Sequence, residues 1–186
     1  MSDGGEAGAP AADGCHLRDG TAVVRRPIRP DDRERLAEFH SRVSPASVYR
    51  RYLAPKATLS AADLTYLTEV DHEHHEALVV ALPEGEGGAL LGVGRFVEEP
   101  AAPGATRTAE VAFLVADAWQ GRGAGALLID GLAVRAARAG IRRLEAWVML
   151  DNRPMLDVFR HCGLPLREQL DEGLVHVTLE LPRPSP

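Results

Sequence analysis

The chain has 186 residues, 45% of them hydrophobic and 26% charged, with 27 acids against 21 bases and a formal net charge of −6. That length fits one domain able to build its own core, and the acidic balance argues against bulk binding to nucleic acid or to an anionic membrane. No apolar run approaches the roughly 18 residues of a membrane span, and the opening MSDGGEAGAPAADG lacks the apolar centre of a secretory signal, so a cytoplasmic protein is expected.

Residues 1–16 are rich in Gly, Ala, Asp and Pro and are expected to form a disordered tail; 182–186 form a second tail, leaving one domain at 17–181. The first strand is predicted at Ala22–Ile28. Pro30-Asp31-Asp32 then places acids where a helix dipole favours them, and Leu36, Phe39 and Val43 follow at helical spacing. SPASVYRRYL reads as a second helix. A third begins at Ser60, with Asp63 completing a capping box.

Ala77–Leu82 and Ala89–Val97, parted by PEGEGG, predict a β-hairpin. Another apolar run, Val111–Val115, leads through DAWQGRGAG into a long helix at about Gly123–Ala139, stopped by Gly140. Leu144–Leu150 is the next strand. Asp151 or Asn152 caps a short helix ending near Gly163, and Leu174–Leu181 alternates as a last strand. The order β-α-α-α-β-β-β-α-β-α-β predicts a mixed α/β (α+β) fold whose sheet is at least partly antiparallel.

Chemistry concentrates where the strand ending at Val115 turns into the long helix. Gly121, Gly123 and Gly125 let backbone approach a ligand and leave the first helical N–H groups facing outward, which suits a phosphate. Arg122 adds a cation. A Walker A loop would need Gly-Lys-Ser/Thr, and the loop has no lysine. A dinucleotide fingerprint would need G-x-G-x-x-G, and although Glu145 lies where a ribose-binding acid would, only about sixty residues follow, too few for a doubly wound sheet. A third reading is the pyrophosphate of coenzyme A. A bare tight turn between strand and helix explains the glycines as well.

Gln120-Gly121-Arg122-Gly123-Ala124-Gly125 resembles the Q/R-x-x-G-x-G/A signature of the GNAT superfamily of acetyl-CoA-dependent N-acetyltransferases. Starting at Asn152, N-x-x-M-x-x-V-F-x-x-x-G-L is similar to that superfamily's N-x-x-A-x-x-L-Y-x-x-x-G-F. The element order from 22 to 181 resembles the GNAT fold, a mostly antiparallel central sheet flanked by helices. SPASVYRRYLAP and LTEVDHEHHEALVVAL are similar to the acetyltransferase domain of bacterial protein-lysine acetyltransferases of the Pat type, a domain often joined to a regulatory or acyl-CoA-synthetase-like module.

The resemblance implies acetyl-CoA as co-substrate, no metal, and an amine acceptor. That acceptor is a protein lysine in the Pat-type reading and a small amine in the alternative one. It implies Glu110 as general base, and backbone groups of Phe113, Leu114 and Val115 on the pantetheine arm and thioester. Gln120, Gly121, Arg122, Gly123, Ala124, Gly125 and Ala126 would hold the pyrophosphate. Asn152 would either touch the cofactor or simply cap its helix. Phe159 stands where many relatives carry a tyrosine that protonates the leaving thiolate, and this departure opens a third reading, a non-catalytic acyl-CoA-binding module.

Other candidates are blander. DHEHHE (71–76) invites a metal but is not H-E-x-x-H, and reads as a polar loop. Cys15 and Cys162 form no Cys-x-x-Cys pair, which argues against a disulfide scaffold, and Cys162 reads as a structural thiol. Arg135, Arg138, Arg142 and Arg143 suit a helix C-terminus; together with Arg122 they make a local excess of positive charge expected near the phosphates. Lys56 is the lone lysine, so an enzyme that modifies lysines has one side chain of its own to modify.

Overall fold

A computed structural model describes residues 12–182. The chain runs β1 (Asp13–His16), β2 (Ala22–Pro27), α1 (Arg33–Arg42), α2 (Pro45–Tyr52), α3 (Ala61–Thr68), β3 (His75–Ala81), β4 (Leu90–Glu98), β5 (Thr108–Val115), α4 (Ala124–Arg138), β6 (Arg143–Met149), α5 (Arg153–Arg160), β7 (Leu166–Asp171) and β8 (Leu174–Glu180). One sheet holds all eight strands in the order β1-β2-β3-β4-β5-β6-β8-β7. Every neighbouring pair is antiparallel except β5–β6, so the mixed, mostly antiparallel sheet is as expected.

Period-two alternation divides the apolar residues between two cores. Leu78, Val80, Phe96, Val111 and Phe113 meet Leu128 and Leu132 of α4 on one face. Val79, Val93 and Leu114 meet Leu36 and Phe39 of α1, Val48 of α2 and Leu67 of α3 on the other. The Ser60–Asp63 capping box forms as predicted: Ser60 Oγ accepts from Asp63 N at 3.1 Å and Asp63 Oδ2 accepts from Ser60 N at 2.8 Å.

Two strands escaped the sequence pattern, and both are sheet edges. Asp13–His16, assigned to the N-terminal tail, pairs with Arg25–Ala22; the rest of that expected tail, residues 1–11, and 183–186 of the second lie outside the described residues. LREQLD of β7 pairs with β8 yet is exposed at five of its six positions. An edge strand with one solvated face needs no apolar alternation. The polar DHEHHE loop is closed by Asp71, whose Oδ1 accepts from the N–H groups of Glu73, His74 and His75 at 2.8–2.9 Å.

A buried ion pair fastens β2 to the start of α1. Arg26 Nη1 and Nη2 donate to the two oxygens of Asp32 at 2.6 and 2.7 Å, with Asp32 fully buried and Arg26 6% exposed. Burial pushes the Asp32 carboxyl up, but the Arg26 guanidinium outweighs it and holds the carboxyl below its ordinary 3.8. The pair's contribution is therefore complete above about pH 4 and is lost as pH falls through the lower folded value. Asp32→Asn, which strands the arginine charge, is expected to cost about 3–5 kcal/mol in a denaturant titration at pH 7. The gap to the parent should narrow on acidification.

Candidate active site

β5 and β6 pair only from Thr108↔Arg143 to Glu110↔Glu145, then part. Between them opens a cleft of about 670 Å³, walled by Val111–Val115 on one side and Ala146–Val148 on the other, with α5 beneath and the 120–126 loop at one end. The ladder to β4 continues to Val115. Its hydrogen bonds from Glu99 N to Thr108 O and from Ala116 N to Leu91 O fix the parity: even-numbered β5 residues bond β4, odd-numbered ones face the gap. The main chains of Phe113 and Val115, together with the Val111 carbonyl, thus line a free strand edge, the Val111 N–H closing the last step of the β5–β6 ladder. Leu114 departs from the expectation, because its N–H and C=O face Val93; its side chain joins the α1–α3 core instead. Of the two free-edge residues expected to bind pantetheine, Val115 already accepts at its carbonyl from Gln120 Nε2 at 3.0 Å, while Phe113 has no such partner among the described residues.

At the loop, none of the backbone N–H groups from Gly121 through Ala126 donates to an acceptor among the described residues; the first to do so is Leu127, to Gly123 O at 3.1 Å. Six outward donors at the start of a 15-residue helix form an anion cradle. Gly123 holds φ +104°, a left-handed conformation that a side chain resists, and a Cβ there would meet Arg18 Cγ at 3.2 Å. Gly125 is small for a different reason: a Cβ would press on Val158 of α5 at 3.0 Å. These features fit a pyrophosphate with a pantetheine arm running into the cleft.

The cation of this loop is not the expected one. Arg122 is absent from the cleft wall, ion-pairs with Asp19 and lies over the Trp119 ring, 4.3 Å from its centroid. Arg18, in the β1–β2 turn, lines the cleft instead, its N–H bonded to Arg122 O at 2.9 Å. Arg135, Arg138, Arg142 and Arg143 lie at or beyond the far end of α4, about 20 Å along the helix axis from the loop. Arg135 ion-pairs with buried Glu76 at 2.9 Å and Arg143 with Glu180 at 3.2 Å. The positive excess expected near the phosphates is carried away by the helix length.

Gln120 lines the cleft and bonds Ser47 Oγ at 3.1 Å. Asp117 accepts from Ser44 N and Ser44 Oγ at 2.8 Å each and from Ser47 Oγ at 2.7 Å, seating α2 over the cleft mouth. Burial alone would push the Asp117 carboxyl up, but these donors, led by the Ser44 N–H, hold it below its ordinary range. So placed, α2 contributes Arg50 and Arg51 to the cleft wall. Asn152 stands at the N-cap of α5, but its side chain makes no capping bond and it too lines the cleft. Phe159 packs against Phe113 with ring centroids 5.5 Å apart.

Glu110 is exposed at the last paired position before the strands part. Glu145 is its cross-strand neighbour and bonds His176 Nε2 at 2.9 Å, and His176 stacks on Trp147 with centroids 4.4 Å apart. Sequence reasoning missed Arg18, Arg50, Arg51 and Ser47, because only folding brings the β1–β2 turn and α2 to a loop some 70–100 residues away, and it missed Asp117, beside that loop, because its partners Ser44 and Ser47 lie equally far off. It carries no motif for them.

A profile of the acetyltransferase (GNAT) family matches residues 38–164. Among curated proteins, the chain is 36% identical over 168 residues to Acetyltransferase Pat of Mycolicibacterium smegmatis, covering 89% of this chain and 48% of that one, so it spans about half of that relative's length. It is 34% identical over 165 residues to Acetyltransferase PA5475 of Pseudomonas aeruginosa, covering 87% and 86%. Among solved structures, the GNAT domain of S. lividans PAT superposes with a TM-score of 0.82 at 36% identity, covering 91% of this chain and 97% of that one. No helix among the described residues is long and apolar enough to cross a membrane.

Proposed function

This chain belongs to the acetyltransferase (GNAT) family, and on that footing we propose that it moves acetyl from acetyl-CoA to a primary amine, foremost a protein lysine, by direct attack in a ternary complex. The observation that carries this reading is the cleft: a strand edge left unpaired from the Val111 carbonyl to Val115 and ending at six undonated N–H groups. The edge suits a pantetheine arm that pairs like a strand, with Phe113 foremost. The loop suits the pyrophosphate, with Arg18 as its nearby cation and Asn152 on the opposite wall.

A bound thioester supplies the electrophile; the protein must supply a neutral amine beside it. Glu110, on the rim where the strands diverge, is the proton acceptor in this reading. Phe159 has no proton to give, and a thiolate whose conjugate acid has a pKa near 8.5 can take its proton from water. That same Phe159 is what favours the second reading, a module that binds acyl-CoA without turnover.

Incubating the protein with labelled acetyl-CoA and a cell lysate, then mapping label by mass spectrometry, separates these. Label on protein lysines is the expected outcome. Turnover of free amines with no labelled protein would replace the lysine acceptor by a small amine. Tight acetyl-CoA binding with no transfer to any acceptor would establish the module.

A further inference from the structure

Most buried and half-buried arginines among the described residues are matched to acids. Arg26 has Asp32, Arg107 has Glu98, Arg135 has Glu76 and Arg143 has Glu180. Arg142 instead donates to the carbonyls of Ala137 and Ile141 at the end of α4, which leaves two guanidiniums on the Glu110 side of the sheet. Arg95 lies in the middle of β4 opposite Ala112, so its side chain shares a face with Glu110, one diagonal step along the β4–β5 ladder. It is 6% exposed, and its partners are both neutral: His75 Nε2 at 3.0 Å and Leu67 O at 3.3 Å. Burial, aided by Arg95 itself, holds the His75 imidazole down at about 4, so at neutral pH the ring accepts from Arg95 and adds no charge.

Arg51 of α2 is partly buried in the cleft wall, 4.9 Å from the Tyr52 ring centroid. No carboxylate among the described residues lies within ion-pair distance of either guanidinium. Burial pushes both guanidiniums down, Arg95 to about 10, where the charge on Arg51 adds to the effect. Glu110 is the carboxylate whose charge Arg51 feels, but the two are not in contact. A buried cation and a half-buried one without an acid are costly, and an anion entering the cleft, which Arg51 lines, would relieve that cost.

We propose that Arg51, backed by Arg95, binds a carboxylate on the acceptor, close to the amine that attacks the thioester. The inference rests on Glu110 marking the acceptor side of the cleft, and it deepens that reading: the acceptor presents a cation to Glu110 and an anion to Arg51. Two sources carry this chemistry, an acidic side chain beside a target lysine in a protein or the carboxylate of a free amino acid.

The test compares lysine peptides with Glu or Gln beside the lysine, and free amino acids against the matching amines that lack the carboxylate. The parent protein should favour the carboxylate-bearing member of one set by about tenfold or more in kcat/KM, as a charge-assisted guanidinium–carboxylate contact implies. The set that shows it identifies the source. Arg51→Gln should collapse that ratio to near one, mainly through KM, and Arg51→Lys should restore part of it. If turnover is too slow to compare, calorimetric affinities for the same acceptors with coenzyme A present carry the same ratio.

No preference in the parent protein, or a preference that survives Arg51→Gln, overturns the proposal. So does an Arg51→Gln variant whose kcat falls equally on both members with a displaced pH profile, since Arg51 would then be the counter-charge of Glu110. Failure of the base assignment looks different: Glu110→Gln would keep full kcat while the acceptor ratio and its dependence on Arg51 remain.

Discussion

Glu110→Gln is expected to lower kcat by about 10²–10⁴-fold, the range a positioned base supplies, with acetyl-CoA affinity unchanged within about twofold. An acceptor lysine with a pKa near 10.4 sits about 3.4 units above neutrality, so presenting it as the free amine costs about 4.6 kcal/mol at pH 7. Without a base at the rim that cost falls on the solution equilibrium. The variant's rate should then climb about tenfold per pH unit toward the amine's own pKa, whereas the parent's should level off earlier. Gln keeps the shape of the side chain, and position 110 is exposed on a strand held by its β4 ladder, so the unfolding transition should not move. A variant with parental kcat removes Glu110 from the mechanism. Glu145, its cross-strand neighbour already joined to His176, then becomes the position to substitute.

Gly123→Glu should weaken acetyl-CoA binding by at least about a hundredfold, measured by calorimetry on the unreacted complex. Two effects add. The backbone at φ +104° strains any residue with a Cβ, and that atom would press on Arg18. A carboxylate then sits among the free N–H groups from Gly121 to Ala126 and competes for them with the pyrophosphate it repels. Because the strain is local to a surface loop, the fold should survive with a loss of about 1–3 kcal/mol. Gly125→Ala is the informative contrast. Its Cβ would crowd Val158, so it should loosen the packing of α5 on α4 and disturb the cleft floor without placing charge in the cradle. Retained binding in Gly123→Glu would move the pyrophosphate away from this loop.

The amino-acid order alone carries the strand–glycine turn–helix unit, the Ser60–Asp63 cap, the hairpin and the position of Glu110, because each depends on residues within a few positions of one another. The core strands are legible for the same reason: burial on two faces demands aliphatic runs such as 77–81 and 90–97. The edge strands β1 and β7 are not, since one solvated face removes the demand that writes the pattern.

What only the tertiary structure decides is which groups face the cleft. Ladder parity directs Phe113 to the gap and Leu114 to β4. Asp19 draws Arg122 aside while the β1–β2 turn offers Arg18. The length of α4 takes four arginines away from the glycine loop, and Asp117 seats α2 so that Arg51 lines the cleft. These placements arise from contacts between segments distant in the chain. The net charge of −6 says nothing of them, because charge acts over the few ångströms at which folding sets one side chain beside another.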